Sequence, residues 1–101
     1  MDRSNIIALV SESYETDAIG QQIAKEEKRE VFCNVRSVSG SEWMEAGRNG
    51  IKAEYQVTMF RYDYAGELIV ELGGERYAVY RTYAPPQGEE IELYLEKKAG
   101  V

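Results

Sequence analysis

Histidine is missing from this sequence altogether, and cysteine occurs once in 101 residues. Without His the chain lacks the commonest general acid/base and the commonest metal ligand. A single Cys excludes a disulfide framework within the chain and every multi-cysteine zinc or iron–sulfur site. The expectation is a protein with no catalytic residues, no cofactor and no metal. Long apolar runs are lacking too, since none approaches the roughly 18–20 residues of a membrane span. No signal peptide is visible, because Asp2-Arg3-Ser4-Asn5 leads straight into a short stretch that no helical apolar core follows. Synthesis and retention in a reducing cytoplasm are expected, and the lone Cys33 is compatible with that.

Strong core formers are scarce as well. Val, Ile, Leu and Phe together make up 22 of the 101 residues, only just above the range of disordered chains. Eight Tyr and one Trp make up the difference. Such rings bury large areas but want a partner for the hydroxyl or indole N–H, so they suit interfaces as well as cores. The length fits one domain spanning residues 1–101. A lightly cored fold is expected, completed by neighbours.

Strand patterns dominate what is present. Asn5-Ile6-Ile7-Ala8-Leu9-Val10-Ser11 is a β-branched run of strand length, followed by the polar stretch Glu12-Ser13-Tyr14-Glu15-Thr16-Asp17. Residues 21–29 are charged and read as an edge strand or a long hairpin arm. Residues 14–22 read as a loop, a contact surface or simply solvated. Val31, Cys33 and Val35 alternate with Phe32, Asn34 and Arg36. Tyr55, Val57 and Met59 oppose Glu54, Gln56 and Thr58. After the turn Asp63-Tyr64-Ala65-Gly66 comes Leu68-Ile69-Val70, then Gly73-Gly74, where two positive φ angles suit a type I′ hairpin. Tyr77, Val79 and Tyr83 alternate with Ala78, Tyr80 and Thr82. Beyond Pro85-Pro86-Gln87-Gly88, Ile91, Leu93 and Leu95 alternate with Glu90, Glu92 and Glu96. This amphipathic last strand, followed by Lys97-Lys98, is placed to pair with a neighbour's edge. Short, evenly spaced strands predict a mainly β protein, a small antiparallel barrel or sandwich.

One segment breaks that rhythm. Ser39 with Glu42 three residues later forms a capping-box pattern. Gly50 suits a left-handed helix end, and Arg48 lies near the negative end of the helix dipole. Trp43, Ala46 and Gly47 share a face at helical spacing. So short a helix is unstable alone, so it docks through Trp43 or forms a mobile loop. Gly40, Gly47 and Gly50 each weaken a helix interior by about 0.5–1 kcal/mol.

The run Val31-Phe32-Cys33-Asn34-Val35-Arg36-Ser37-Val38-Ser39-Gly40-Ser41-Glu42-Trp43-Met44-Glu45-Ala46-Gly47 resembles the head–tail joining proteins of long-tailed phages, also called head closure or stopper proteins. Downstream order matches: a strand with Arg61 at its end, then Leu68-Ile69-Val70, Gly74-Glu75-Arg76-Tyr77-Ala78-Val79-Tyr80, and Ile91-Glu92-Leu93-Tyr94-Leu95-Glu96-Lys97-Lys98. The likeness covers nearly the whole chain and is nearest the branch found in phages and prophages of Gram-positive hosts. It implies an antiparallel barrel of about six to seven strands with one inserted short helix or gating loop. It further implies a virion protein, assembled in the host cytoplasm as a ring below the portal and its adaptor, a dodecamer in that family. Such a ring closes the channel after packaging, retains DNA and offers the surface to which the tail attaches. Implied partners are other copies of the chain, the connector or adaptor protein, a tail-completion or tail terminator protein, and phage DNA in transit, with no membrane. The family's gating segment maps onto residues 39–54, where Ser39, Ser41, Glu42, Trp43, Met44, Arg48, Asn49 and Lys52 are the candidate gating and interaction residues. An ordinary surface helix anchored by Trp43 is the alternative.

Other features are weaker. Tyr55, Tyr62, Tyr64, Tyr77, Tyr80, Tyr83 and Tyr94 would suit base stacking only in a basic groove. Their strands carry Glu54, Asp63, Glu67, Glu71, Glu75, Glu92 and Glu96, so core and subunit packing is the expected role. A net charge of −6 suits a conduit that DNA must leave. Arg48 and Lys52 would be the exceptions, touching phosphate at a closed gate or simply solvated. Glu89, Glu90 and Glu92 read as the polar face of an edge strand rather than a catalytic pair, and Cys33 as a small core side chain. The rival functions are a small β-barrel binding module for a peptide or nucleic acid, and a tail-completion protein at the same junction.

Overall fold

Period-two alternation decides which side of each strand turns inward, and the register carries that choice from strand to strand. The computed structural model describes residues 4–101. It contains β1 (Asn5–Thr16), β2 (Gln22–Ser37), α1 (Gly40–Arg48), β3 (Ala53–Phe60), a 3-10 turn at Arg61–Asp63, β4 (Ile69–Leu72), β5 (Glu75–Tyr83) and β6 (Glu90–Glu96). All pairings are antiparallel, and the strands close into a barrel in the order β1-β2-β3-β6-β5-β4. Closure depends on β4, four residues long, whose Val70 stands opposite Leu9 of β1 and Tyr77 of β5. The expected mainly β antiparallel barrel is therefore present, with six strands and, as the inserted segment, one short helix.

Inward-facing residues from all six strands form one core. Ile7, Leu9, Val31, Cys33, Val57, Met59, Val70, Tyr77, Leu93 and Leu95 are buried together, with Tyr55, Tyr64, Val79 and Ile91 packed around them. Tyr55 meets Tyr77 edge to face at 5.5 Å, an arrangement favoured by the ring quadrupoles. Burial pushes the Cys33 thiol up to about 11, so it behaves as a small apolar side chain. Between Leu72 and Glu75, Gly73 and Gly74 take φ of 60° and 82°, the two positive values that a type I′ turn requires. Residues 61–68 carry the chain from β3 to β4. There Tyr64 donates a 2.6 Å bond to the Glu67 carbonyl, and Arg29 of β2 holds the Glu67 carboxylate at 2.7 Å.

Four expectations need correction. Residues 14–22 are not all loop: β1 continues to Thr16, and Tyr14 pairs with Ala24 within a ribbon that starts again at Gln22. Every side chain of this extension is exposed, and beyond the backbone ladder its strands are joined by the Glu15–Lys25 ion pair at 3.4 Å and by the Ser13 hydroxyl donating to the Lys25 carbonyl at 3.5 Å. The turn itself is confined to residues 17–21, where Asp17 Oδ1 accepts from the amides of Ile19 and Gln21 at 3.0 and 2.8 Å. Strands are consequently uneven, from four residues to sixteen. Nor is β6 an edge. It lies between β3 and β5 in the closed barrel, so its ladder has no free side for a neighbour, and its acidic residues do not mark an edge strand. Finally, Tyr83 does not share the inward face with Tyr77 and Val79. The register skips Tyr80, from Val79 opposite Leu95 to Arg81 opposite Tyr94. A bulge of this kind reverses the alternation beyond it, and Tyr83 is exposed.

Candidate functional site

Helix α1 lies between β2 and β3 in the chain and outside the barrel wall. Its start is set by Ser39, whose Oγ accepts from the Glu42 amide at 3.2 Å and lies 3.2 Å from the Ser41 hydroxyl. Its end is a Schellman motif: the Ile51 amide donates to the Ala46 carbonyl at 3.0 Å and the Gly50 amide to Gly47 at 3.1 Å. Gly50 sits at φ 74° there, a left-handed value with no Cβ penalty for glycine. Asn49 is the C-cap, and its side-chain amide donates to the Glu45 carbonyl at 3.2 Å. Arg48 pairs with Glu45 at 3.2 Å one turn earlier. Lys52 is exposed, and its carbonyl accepts from the Lys97 amide at 3.2 Å.

What fastens the helix is not Trp43. That indole is 61% exposed, Met44 beside it is exposed too, and only Ala46 of the helix is buried. The expected anchor is therefore wrong: the apolar Trp43–Met44 corner points away from the wall. The attachment runs through Glu42. Its carboxylate accepts a 2.7 Å bond from the Tyr80 hydroxyl and pairs with the Arg81 guanidinium. Glu42 does not complete the reciprocal capping box, because its side chain is engaged on β5 instead. The bulge at Tyr80 brings two consecutive β5 side chains to one carboxylate. Arg81 also lies 3.8 Å above the Tyr94 ring, so a cation–π contact holds the guanidinium in place. Beside it Gln56 is buried and accepts from Arg36 Nε at 3.2 Å. The order of partners on the outer wall, Arg36 beside Gln56 beside Tyr94 beside Arg81, follows from the registers.

Charge at this junction is balanced by contact. Burial alone would raise the Glu42 carboxyl, but the bonds from Tyr80 and Arg81 and the Arg81 charge outweigh it and hold the group below its ordinary value. The same arrangement raises Tyr80, first through burial and then through its bond to Glu42. An ionised Glu42 is thus the stable form at neutral pH. The carboxylate joins a helix with one buried residue to a strand of the closed wall.

The eight candidate residues form one contiguous external element, but they do not converge on a pocket. Two of them, Glu42 and Asn49, line the crevice between helix and wall, together with Glu45, Ala46, Ile51, Tyr80 and Arg81. Sequence reasoning missed Tyr80 and Arg81 as the partners of Glu42. Nothing local points to them, since the contact spans 38 and 39 positions. A second feature had a visible signal. Phe32 is apolar on the face opposite Val31 and Cys33, and it proves exposed on the outer wall beside Ile6, its cross-strand partner. Among the described residues no group of three or more His, Cys, Asp or Glu is placed to hold a metal ion, and no helix is long and apolar enough to cross a membrane. Compared with known protein families and with curated proteins, the chain matches no family model and no curated sequence.

Proposed function

We propose that this chain is a structural protein of a phage head-to-tail connector. Copies of it form a ring below the portal and adaptor, close the DNA channel after packaging and present the surface to which the tail attaches. The observation that carries this reading is the attachment of α1. The helix has one buried residue, is tied to a closed barrel by the Glu42 carboxylate, and carries Trp43 and Met44 on its free side. A gate needs an element of low local stability whose two arrangements are close in energy. Such an element belongs between strands of a closed wall, so that its movement leaves the barrel intact.

Two further features support the reading. Exposed large apolar side chains on the arm and outer wall suit a protein completed by neighbours, and a net charge of −6 disfavours lasting hold on DNA. The role is mechanical, with protein partners above and below and DNA only in transit.

Loss of the gene in a producing phage provides the test. The expected outcome is filled heads that leak DNA and lack tails. DNA-retaining heads accumulating beside naked tails would overturn the closure role and favour tail completion. Tight, salt-sensitive binding of short DNA by the monomer would favour a nucleic-acid-binding module instead.

A further inference from the structure

Half of the β1–β2 ribbon belongs to the barrel and half does not. From Ser11 opposite Glu27 to Thr16 opposite Gln22, the ribbon is two-stranded and exposed on both faces. A free two-stranded hairpin is at best marginally stable in water. Its base is braced by Arg76, whose guanidinium bonds both Glu26 oxygens at 2.7 and 2.8 Å. Its far end is apolar. Tyr14 and Ile23 stand on opposite faces of the ribbon, and Ile19 lies in the turn.

A second apolar feature is a strip on the outer wall. Ile6 and Phe32 are cross-strand partners, and Tyr62 stacks edge-on against Phe60 at 5.2 Å. Phe60 lies on β3 one step beyond the Cys33–Met59 pair, which brings it alongside Phe32. The six side chains Tyr14, Ile19, Ile23, Ile6, Phe32 and Tyr62 are between 51% and 78% exposed.

The arm cannot cover its own strip. Ile6 and Phe32 lie on the same two strands as the arm, and antiparallel pairing from Asn5 to Thr16 keeps the ribbon extended. At the rise of a strand, Ile6 and Thr16 stand about 34 Å apart. A second copy has no such constraint. At roughly 150–250 Å² per large side chain, arm end and strip each leave on the order of 350 Å² of apolar surface in water. Joined, they supply about 700 Å², the apolar share of an interface of roughly 1,200 Å², which is the lower bound for a specific stable contact.

We propose that the arm end of one copy seats on the Ile6–Phe32–Tyr62 strip of a second copy. The two surfaces differ, so the contact is head-to-tail, and repetition closes a ring when the rotation between copies allows it. This inference rests on the ring reading above and names its subunit contact. Apolar groups on both ribbon faces mean that the second copy covers the arm from more than one side.

Sedimentation velocity across a concentration series, with paired cysteine variants, tests it. Ile19→Asp and Phe32→Asp alter exposed positions, so both leave the barrel folded, and each is expected to weaken self-association at least tenfold. Ile19→Cys mixed with Ile6→Cys should give disulfide-linked dimers that neither variant yields alone, while Cys33 stays out of reach in the core. Assembly that both Asp variants leave unchanged, without the mixed cross-link, overturns this contact and leaves the ring reading standing. A chain that stays monomeric at every concentration, with no cross-link, also overturns the contact. The connector role is judged separately, by DNA leakage from filled heads.

Discussion

The same two strands live in two environments. Over residues 5–10 of β1 and 28–33 of β2, Ile7, Leu9, Val31 and Cys33 point into a closed core. Over residues 11–16 and 22–27, the identical ladder continues with every side chain exposed. Pairing therefore extends as far as the backbone can continue it, whereas stability resides where the wall closes on itself. Helix α1 shows the same division on a smaller scale, with Ala46 inside and Trp43 outside. The parts that leave the barrel are those with the fewest interior contacts, and they carry the proposed functions.

Substitution at one position in each environment separates them most sharply. Leu9→Ala removes a side chain with no exposure, so urea unfolding should show a loss of about 2–5 kcal/mol. The next effect belongs to the helix. Glu42→Ala leaves Tyr80 and Arg81 without their shared acceptor and should weaken α1 docking by about 1–2 kcal/mol. Faster amide exchange confined to residues 40–51, with β3 and β6 unchanged, is the expected readout.

Acid should reproduce that effect in part. The Glu42 carboxyl is held below its ordinary value in the folded chain. Its contribution is therefore present in full above the ordinary carboxylate range and is lost as pH falls through the lowered value. Docking of α1 should loosen on acidification in the wild type, and Glu42→Gln should abolish that dependence. Glu26 and Glu71, which share Arg76, are lowered as well, so the arm's brace should slacken over a similar range. The smallest effect is expected at Ile23→Ala on the arm, within about 0.5 kcal/mol of wild type in the monomer. A loss there comparable to Leu9→Ala would mean that the arm is part of the cooperative core, and the contrast would fail.

Much of this architecture is legible before folding because it is local. Alternation in residues 31–35 and 91–95, the Gly73-Gly74 turn and the Ser39 cap each need only a few neighbouring residues. Three features are illegible for stated reasons. Closure through Val70 and Leu9 joins segments about sixty positions apart, and β4 is too short to announce its partner. The single extra residue at Tyr80 reverses the alternation after it, which misplaces Tyr83. Glu42 fits a capping box in one dimension, yet its side chain finds better partners on β5. The arm is a partial case, since charge over residues 21–29 suggests a hairpin arm while the polar residues 12–17 conceal its other strand.

Native-state hydrogen exchange of the free chain tests the central claim most directly, by comparing residues 40–51 with β3 and β6. If α1 is the proposed gate, tied down by one carboxylate, it should exchange well ahead of the barrel wall, and faster still in Glu42→Gln. Exchange of α1 as slow as that of β3 and β6, and unaltered by Glu42→Gln, would show a fixed part of the wall and contradict the account.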